Sequence, residues 1–194
     1  MFYRSQTKNA IINLSHRDKD KLKQLGRIKF LDYKTNSFIK IYKTNILKDD
    51  SNQILKRISI INSFVNYNLS IPLTVVTIEN DEIVVKQDYL KKAGKLNDIP
   101  AIKREKLLLD LEATIDTLHS IGFVHGDINR KNIIYAENKL WLIDIEPSLK
   151  QIKNGLKKWM VTRPYAAPED LKNKNITEAT DIYAFGCFKK WFVD

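Results

Sequence analysis

Leu118-His119-Ser120-Ile121-Gly122-Phe123-Val124-His125-Gly126-Asp127-Ile128-Asn129-Arg130-Lys131-Asn132-Ile133-Ile134 is the stretch on which the reading of this chain turns. It follows an amphipathic run, Ile102 to Leu118, that carries Leu107, Leu108, Leu111, Ile115 and Leu118 on one helical face. Gly122 stands where such a helix stops, since glycine suits the backbone of a C-terminal cap. The helix therefore delivers a polar loop in which Asp127 and Asn132 are five residues apart. Two short strand-like runs come next, Ile133-Ile134-Tyr135 and Leu140-Trp141-Leu142-Ile143, around a Glu137-Asn138 turn. Asp144 ends the second run, twelve residues after Asn132. A carboxylate and an amide oxygen that converge on one place are hard ligands suited to Mg²⁺. A separate carboxylate nearby can orient a hydroxyl and take its proton.

Upstream, the pattern is strand-like between Lys29 and Tyr42, with Lys-Thr-Asn-Ser as the turn of a hairpin. Apolar residues at 54, 55, 58, 61 and 64–65 predict a helix from Asp49 to Phe64, capped by Asp49, Asp50 or Ser51. Leu73 to Ile78 and Ile83 to Val85 read as a second hairpin. Asp88 to Gly94 reads as a linker, so a hinge is expected near residues 88–95. Downstream, a last helix is expected from about Thr180, carrying Ile182, Tyr183, Phe185, Phe188 and Trp191. The expected architecture is α+β and two-lobed: residues 1–88 as a small antiparallel sheet plus one helix, and residues 89–194 as a mostly helical lobe.

Composition bounds the function. The chain has 194 residues, 43% apolar and 29% charged, as ordinary globular domains do. No stretch approaches the roughly 18 apolar residues of a membrane helix. No cleavable leader is visible, so the cytoplasm is the default expectation, with secretion by a route lacking a cleaved signal as the alternative. One cysteine, Cys187, excludes a disulfide framework, and three histidines leave little for a histidine metal site. Cys187 itself reads as a small buried core residue. The net charge is +10, of which +9 falls in residues 1–60, so an anionic partner is expected. No zinc finger, RNA-binding strand pair or helix-turn-helix accompanies the charge, so specific nucleic-acid binding is not.

The motifs taken together resemble the protein kinase fold family. His125-x-Asp127-x4-Asn132 is similar to the His-Arg-Asp-x4-Asn catalytic loop, and Ile143-Asp144-Ile145-Glu146 stands at the place of Asp-Phe-Gly. Ala167-Pro168-Glu169 resembles Ala-Pro-Glu, and Asp181-Ile182-Tyr183-Ala184-Phe185-Gly186 resembles the Asp-x-Trp/Tyr-x-x-Gly pattern. The resemblance implies a two-lobed kinase-like fold with a truncated C-lobe, because the chain stops eight residues after Gly186. It implies an ATP- and Mg²⁺-dependent phosphotransferase, a minimal Ser/Thr protein kinase. Asp127 would be the catalytic base, and Asn132 and Asp144 would hold the metal. Lys131 or Arg130 would touch the γ-phosphate. His125 would support the loop, Asp181 would brace its backbone, and Thr162 would bond Asp127. Lys40, with Lys43 as second choice, would bind the nucleotide, as would Gly26 in a degenerate Gly-rich loop and Asp88 and Leu90 in the hinge. A protein hydroxyl is the implied acceptor, with an anionic sugar or lipid as alternative, and an activating protein partner is compatible.

Three departures stand out. Only Gly26 of the usual three loop glycines is present. The helix glutamate that normally pairs with the lysine falls near Arg57, and Asp50 and Gln53 are weak substitutes. Glu146 replaces the usual glycine and is expected to offer an extra metal oxygen, as in the Asp-x-Glu loops of aminoglycoside and choline kinases. The alternatives these departures imply are a lipopolysaccharide or sugar kinase, and a pseudokinase acting as a binding module.

Overall fold

A computed structural model describes residues 27–32, 34–43, 51–79, 82–146, 162–168, 171 and 176–194. Strands β1 (Arg27–Asp32) and β2 (Ser37–Lys43) form the first expected hairpin, and β3 (Thr74–Glu79) and β4 (Glu82–Asp88) form the second. They join in one antiparallel sheet of order β1-β2-β4-β3. Side chains directly opposite in such a sheet share a face. Lys40 pairs with Val85 and Tyr42 with Ile83, so the lysine lies on the face that carries Ile83, Val85 and the main core. Ile39, Ile41 and Val84 make a separate cluster on the other face.

Helix α1 (Ser51–Ser63) packs Ile54, Ile58 and Ile61 against that core at the spacing of one helical stripe. Its Asn62 acts as a further strand residue: the side-chain Nδ2 donates to Val76 O at 2.9 Å, and Val76 N donates to Asn62 Oδ1 at 2.8 Å. This covers the free edge of β3, where unpaired backbone groups would otherwise face outward.

Helix α2 (Ala101–Ser120) buries Leu107, Leu108, Leu111, Ile115 and Leu118, as its periodicity predicts. Gly122 ends it with φ +74°, and the cap is complete: Gly122 N donates to His119 O and Phe123 N to Leu118 O. That is the paired-bond helix stop for which glycine is suited. Strands β5 (Ile133–Ala136) and β6 (Lys139–Leu142) form a hairpin, with Glu137 and Asn138 both at positive φ in the two-residue turn. Helix α3 (Glu178–Val193) starts two residues before the expected Thr180. Thr177 and Thr180 bond each other's backbone there, so Thr180 lies inside the first turn rather than at its start. Cys187 is half-buried, not the core residue expected, because the buried face of α3 runs through Ala184, Phe185, Phe188 and Phe192.

One hydrophobic core spans Tyr42, α1, β4, α2, the hairpin and α3. Among the described residues no helix is long and apolar enough to cross a membrane. Asn62→Ala should cost about 1–2 kcal/mol, the loss of two hydrogen bonds at a half-buried edge. Urea unfolding checks this: the midpoint should fall with the slope unchanged.

Candidate active site

Asp181, in the first turn of α3, is fully buried and organises the loop after α2. Its Oδ2 accepts from His125 N at 2.7 Å and its Oδ1 from Gly126 N at 2.7 Å. His119 Nε2 lies 3.0 Å from Oδ2, so this histidine does more than pack. The Asp181 hydrogen bond holds the His119 imidazole above its usual range, although burial opposes the shift. Gly126 takes φ +83°, which lets two successive amides point at one carboxylate. His125 carries the link onward, its Nε2 3.0 Å from Ile143 O and its Nδ1 accepting from Asp127 N at 3.2 Å.

Asp127 is therefore fixed by backbone on both sides, and its carboxylate is held by three donors. Oδ1 accepts from Thr162 Oγ1 at 2.7 Å and from Asn129 Nδ2 at 3.0 Å. Oδ2 accepts from Asn132 Nδ2 at 3.1 Å. Asn132 O accepts from Ile143 N at 2.9 Å, which brings Asn132 beside the residue preceding Asp144. Asp144 has φ +59°, a left-handed backbone that aspartate tolerates better than most side chains.

Across from this loop, Lys40 is 1% exposed. Its Nζ donates to Asp144 Oδ1 and to Glu146 Oε1, each at 2.5 Å. Tyr42 Oη donates to the same Glu146 oxygen at 2.9 Å. Burial pulls the ammonium down, but the Glu146 and Asp144 carboxylates outweigh it and the net shift is upward. Burial likewise pushes the Asp144 carboxyl up, and Lys40 more than reverses it. The expectation of a lysine without a strong acidic partner is thus corrected: the acids come from the segment after β6, not from α1.

Arg57, at the place of the absent helix glutamate, lies over the Phe123 ring with its guanidinium carbon 4.0 Å from the centroid. It donates to Val124 O at 2.9 Å, Ile145 O at 3.0 Å and His125 O at 3.4 Å. Burial lowers its guanidinium to about 10, and Asp181 and Glu146 keep it charged at neutral pH.

The structure thus brings together Lys40, Asp127, Asn132 and Asp144. Lys131 is exposed, with its backbone N donating to Asn129 Oδ1, and Arg130 lies over the Trp191 ring at 5.5 Å. Asp88 ends β4, three residues along the strand pair from Lys40, and Leu90 follows two residues beyond it. Gly26, Asp50 and Glu169 lie outside the described residues. The sequence reading missed Asn129 as a support of Asp127, Tyr42 as a support of Glu146, and Arg57 as a tie between α1 and the loop. Only Tyr42 had a local signal, the alternation that sets it on the face of Lys40.

The donor set fits a divalent cation. Asp144 is 43% exposed at its side chain, and the Asn132 side-chain oxygen accepts no hydrogen bond among the described residues. Among those residues no group of three or more His, Cys, Asp or Glu forms a metal cage. Two protein oxygens are what Mg²⁺ uses when water and phosphate complete its shell. Glu146 differs from Asp144 in its surroundings: its Oε1 is taken by Lys40 and Tyr42, while its Oε2 is buried without a hydrogen-bond partner among the described residues.

Residues 30–190, which include this site, match the protein kinase domain. The chain belongs to that family. It is 29% identical over 117 residues to serine/threonine-protein kinase ksg1 of Schizosaccharomyces pombe, covering 52% of this chain and 19% of the fission-yeast protein. It is 35% identical over 95 residues to serine/threonine-protein kinase PknG of Mycobacterium leprae, covering 49% of this chain and 12% of the bacterial one. It is 34% identical over 115 residues to serine/threonine-protein kinase PKH1 of Saccharomyces cerevisiae, covering 50% and 14%. The chain spans less than a fifth of each of these relatives.

Asp181→Ala should cost about 3 kcal/mol or more, because it strands two buried amides; thermal unfolding reads the loss. The raised His119 stabilises the fold fully below about pH 6.5, the ordinary histidine value. That contribution is lost as pH rises through the higher folded value. The difference in unfolding temperature between the wild type and His119→Gln should therefore shrink from pH 6 to pH 9.

Proposed function

We propose that the chain transfers the γ-phosphate of ATP to a serine or threonine hydroxyl of a protein, with Mg²⁺ as the metal. The observation that carries this reading is the hydrogen bonding of Asp127. A carboxylate oxygen has two lone-pair sites. Thr162 and Asn129 fill both on Oδ1, while Asn132 fills one on Oδ2. The remaining site on Oδ2 is the one for an acceptor hydroxyl, and Oδ2 takes its proton as the oxygen attacks phosphorus.

Asn132 and Asp144 would hold Mg²⁺, which when bound neutralises charge on the phosphates. Lys40 binds phosphate oxygens from the sheet side. Lys131 serves the γ-phosphate, since Asn129 is turned inward to Asp127 and Arg130, exposed like Lys131, lies on Trp191. Residues 1–88 and 89–194 would be the two lobes with Asp88 and Leu90 at their hinge, and Gly26, outside the described residues, would serve the phosphates as the resemblance implies. The names of the relatives, serine/threonine-protein kinases from yeasts and a bacterium, favour a protein hydroxyl over a sugar or lipid.

The test is transfer of label from γ-³²P-ATP and Mg²⁺ to casein and to the chain itself, followed by phosphoamino-acid analysis. Phosphoserine or phosphothreonine is expected. Asp127→Asn should lower the rate about 10²–10⁴-fold, the usual weight of a positioned base. No label in protein, with label in an added aminoglycoside or lipopolysaccharide core, would replace the protein acceptor by a small one.

A further inference from the structure

We propose that Glu146 is a positioning residue for Lys40, holding the ammonium from the catalytic-loop side of the site so that Asp144 is free to leave it for a cation. The proposal rests on the kinase reading above and assigns the two carboxylates of Asp144-Ile145-Glu146 different tasks.

The two differ in what surrounds them. Both lie 2.5 Å from Lys40 Nζ. The Asp144 side chain is 43% exposed, whereas that of Glu146 is 3% exposed. Glu146 Oε1 accepts a second bond from Tyr42 Oη, which comes from the same strand as Lys40. A buried carboxylate that shares its partner strand with a tyrosine cannot turn to solvent without abandoning two donors, and each loss leaves a buried polar group unpaired. Asp144 gives up one donor and moves toward water. Of the pair, Asp144 is the one that can exchange lysine for metal, and Glu146 is the one that stays.

Arg57 makes the arrangement independent of an acid on α1. Its guanidinium bonds Ile145 O, the peptide between the two carboxylates, and the carbonyls of Val124 and His125. One side chain of α1 thus fixes both the loop that carries Asp127 and the segment that carries Glu146. The lysine is oriented by Glu146, and Glu146 is oriented by Tyr42 and, through the backbone, by Arg57.

The test is a double-mutant cycle on the full chain, using Lys40→Met, Glu146→Gln and the pair. It is read by ATP binding calorimetry in EDTA and across a Mg²⁺ titration, and by thermal unfolding without ligand. Glu146→Gln should weaken ATP binding about tenfold in EDTA as well as in Mg²⁺ and leave the Mg²⁺ midpoint unchanged. In the Lys40→Met background it should cost no further affinity, and it should restore unfolding temperature by removing a stranded buried charge. Additive losses, or a shifted Mg²⁺ midpoint with ATP binding in EDTA intact, would make Glu146 a metal ligand and overturn the proposal. Tyr42→Phe, which removes one hydroxyl, gives the same test should Glu146→Gln not fold. It should weaken ATP binding about two- to threefold with the Mg²⁺ midpoint unchanged, and unaltered binding would count against the proposal. The unfolding arm needs no nucleotide, so a chain that fails to bind ATP refutes the kinase reading while the Lys40–Glu146 coupling is still measured.

Discussion

A lysine ammonium removed from water is costly unless charge and hydrogen bonds replace its hydration, and the penalty is several kcal/mol per ion. Lys40 is in that position, 1% exposed at the centre of the sheet. The acids that neutralise it, Asp144 and Glu146, stand more than a hundred residues later in the chain. The sheet and the β5–β6 hairpin must therefore meet at one point, and the segment leaving β6 must turn there. The left-handed backbone of Asp144 makes that turn. Removing either side of this contact would leave a buried charge alone, which is a stronger constraint on geometry than the net worth of the pair.

A second constraint meets the first. Asp181 gathers the amides of His125 and Gly126, and His125 passes the connection to the carbonyl of Ile143. Arg57 reaches the carbonyls of Val124 and Ile145 from the other lobe's helix. The residues on either side of Asp144 are thus tied to α1 and to α3, while its own carboxylate keeps open space. That combination, a rigid backbone around an accessible oxygen, is what a phosphate-handling site requires, since its work is mainly positioning and electrostatics.

Much of this was legible in the residues. The apolar spacing of α1 and α2, the glycine stop at Gly122 and the turn at Glu137-Asn138 follow from local rules that the structure obeys. The bracing by Asp181 and the bond from Thr162 to Asp127 follow from the resemblance. The contact of Glu146 with Lys40 did not, because the lysine is 106 residues away and nothing local marks which way a buried carboxylate turns. The same holds for Arg57: the sequence shows that a glutamate is absent from the helix but not that an arginine there serves the opposite lobe. Nothing local marks the role of His119 either, since its acidic partner, Asp181, is 62 residues downstream.

The most direct measurement is a calorimetric titration of the full chain with ATP, with and without Mg²⁺, on the wild type and on Asp144→Ala. The account expects Mg²⁺ to tighten ATP binding in the wild type. It expects the substituted chain to lose that tightening while retaining the weaker metal-free binding through Lys40. A folded wild-type chain that binds no ATP, or an Asp144→Ala chain with undiminished Mg²⁺ dependence, would contradict it.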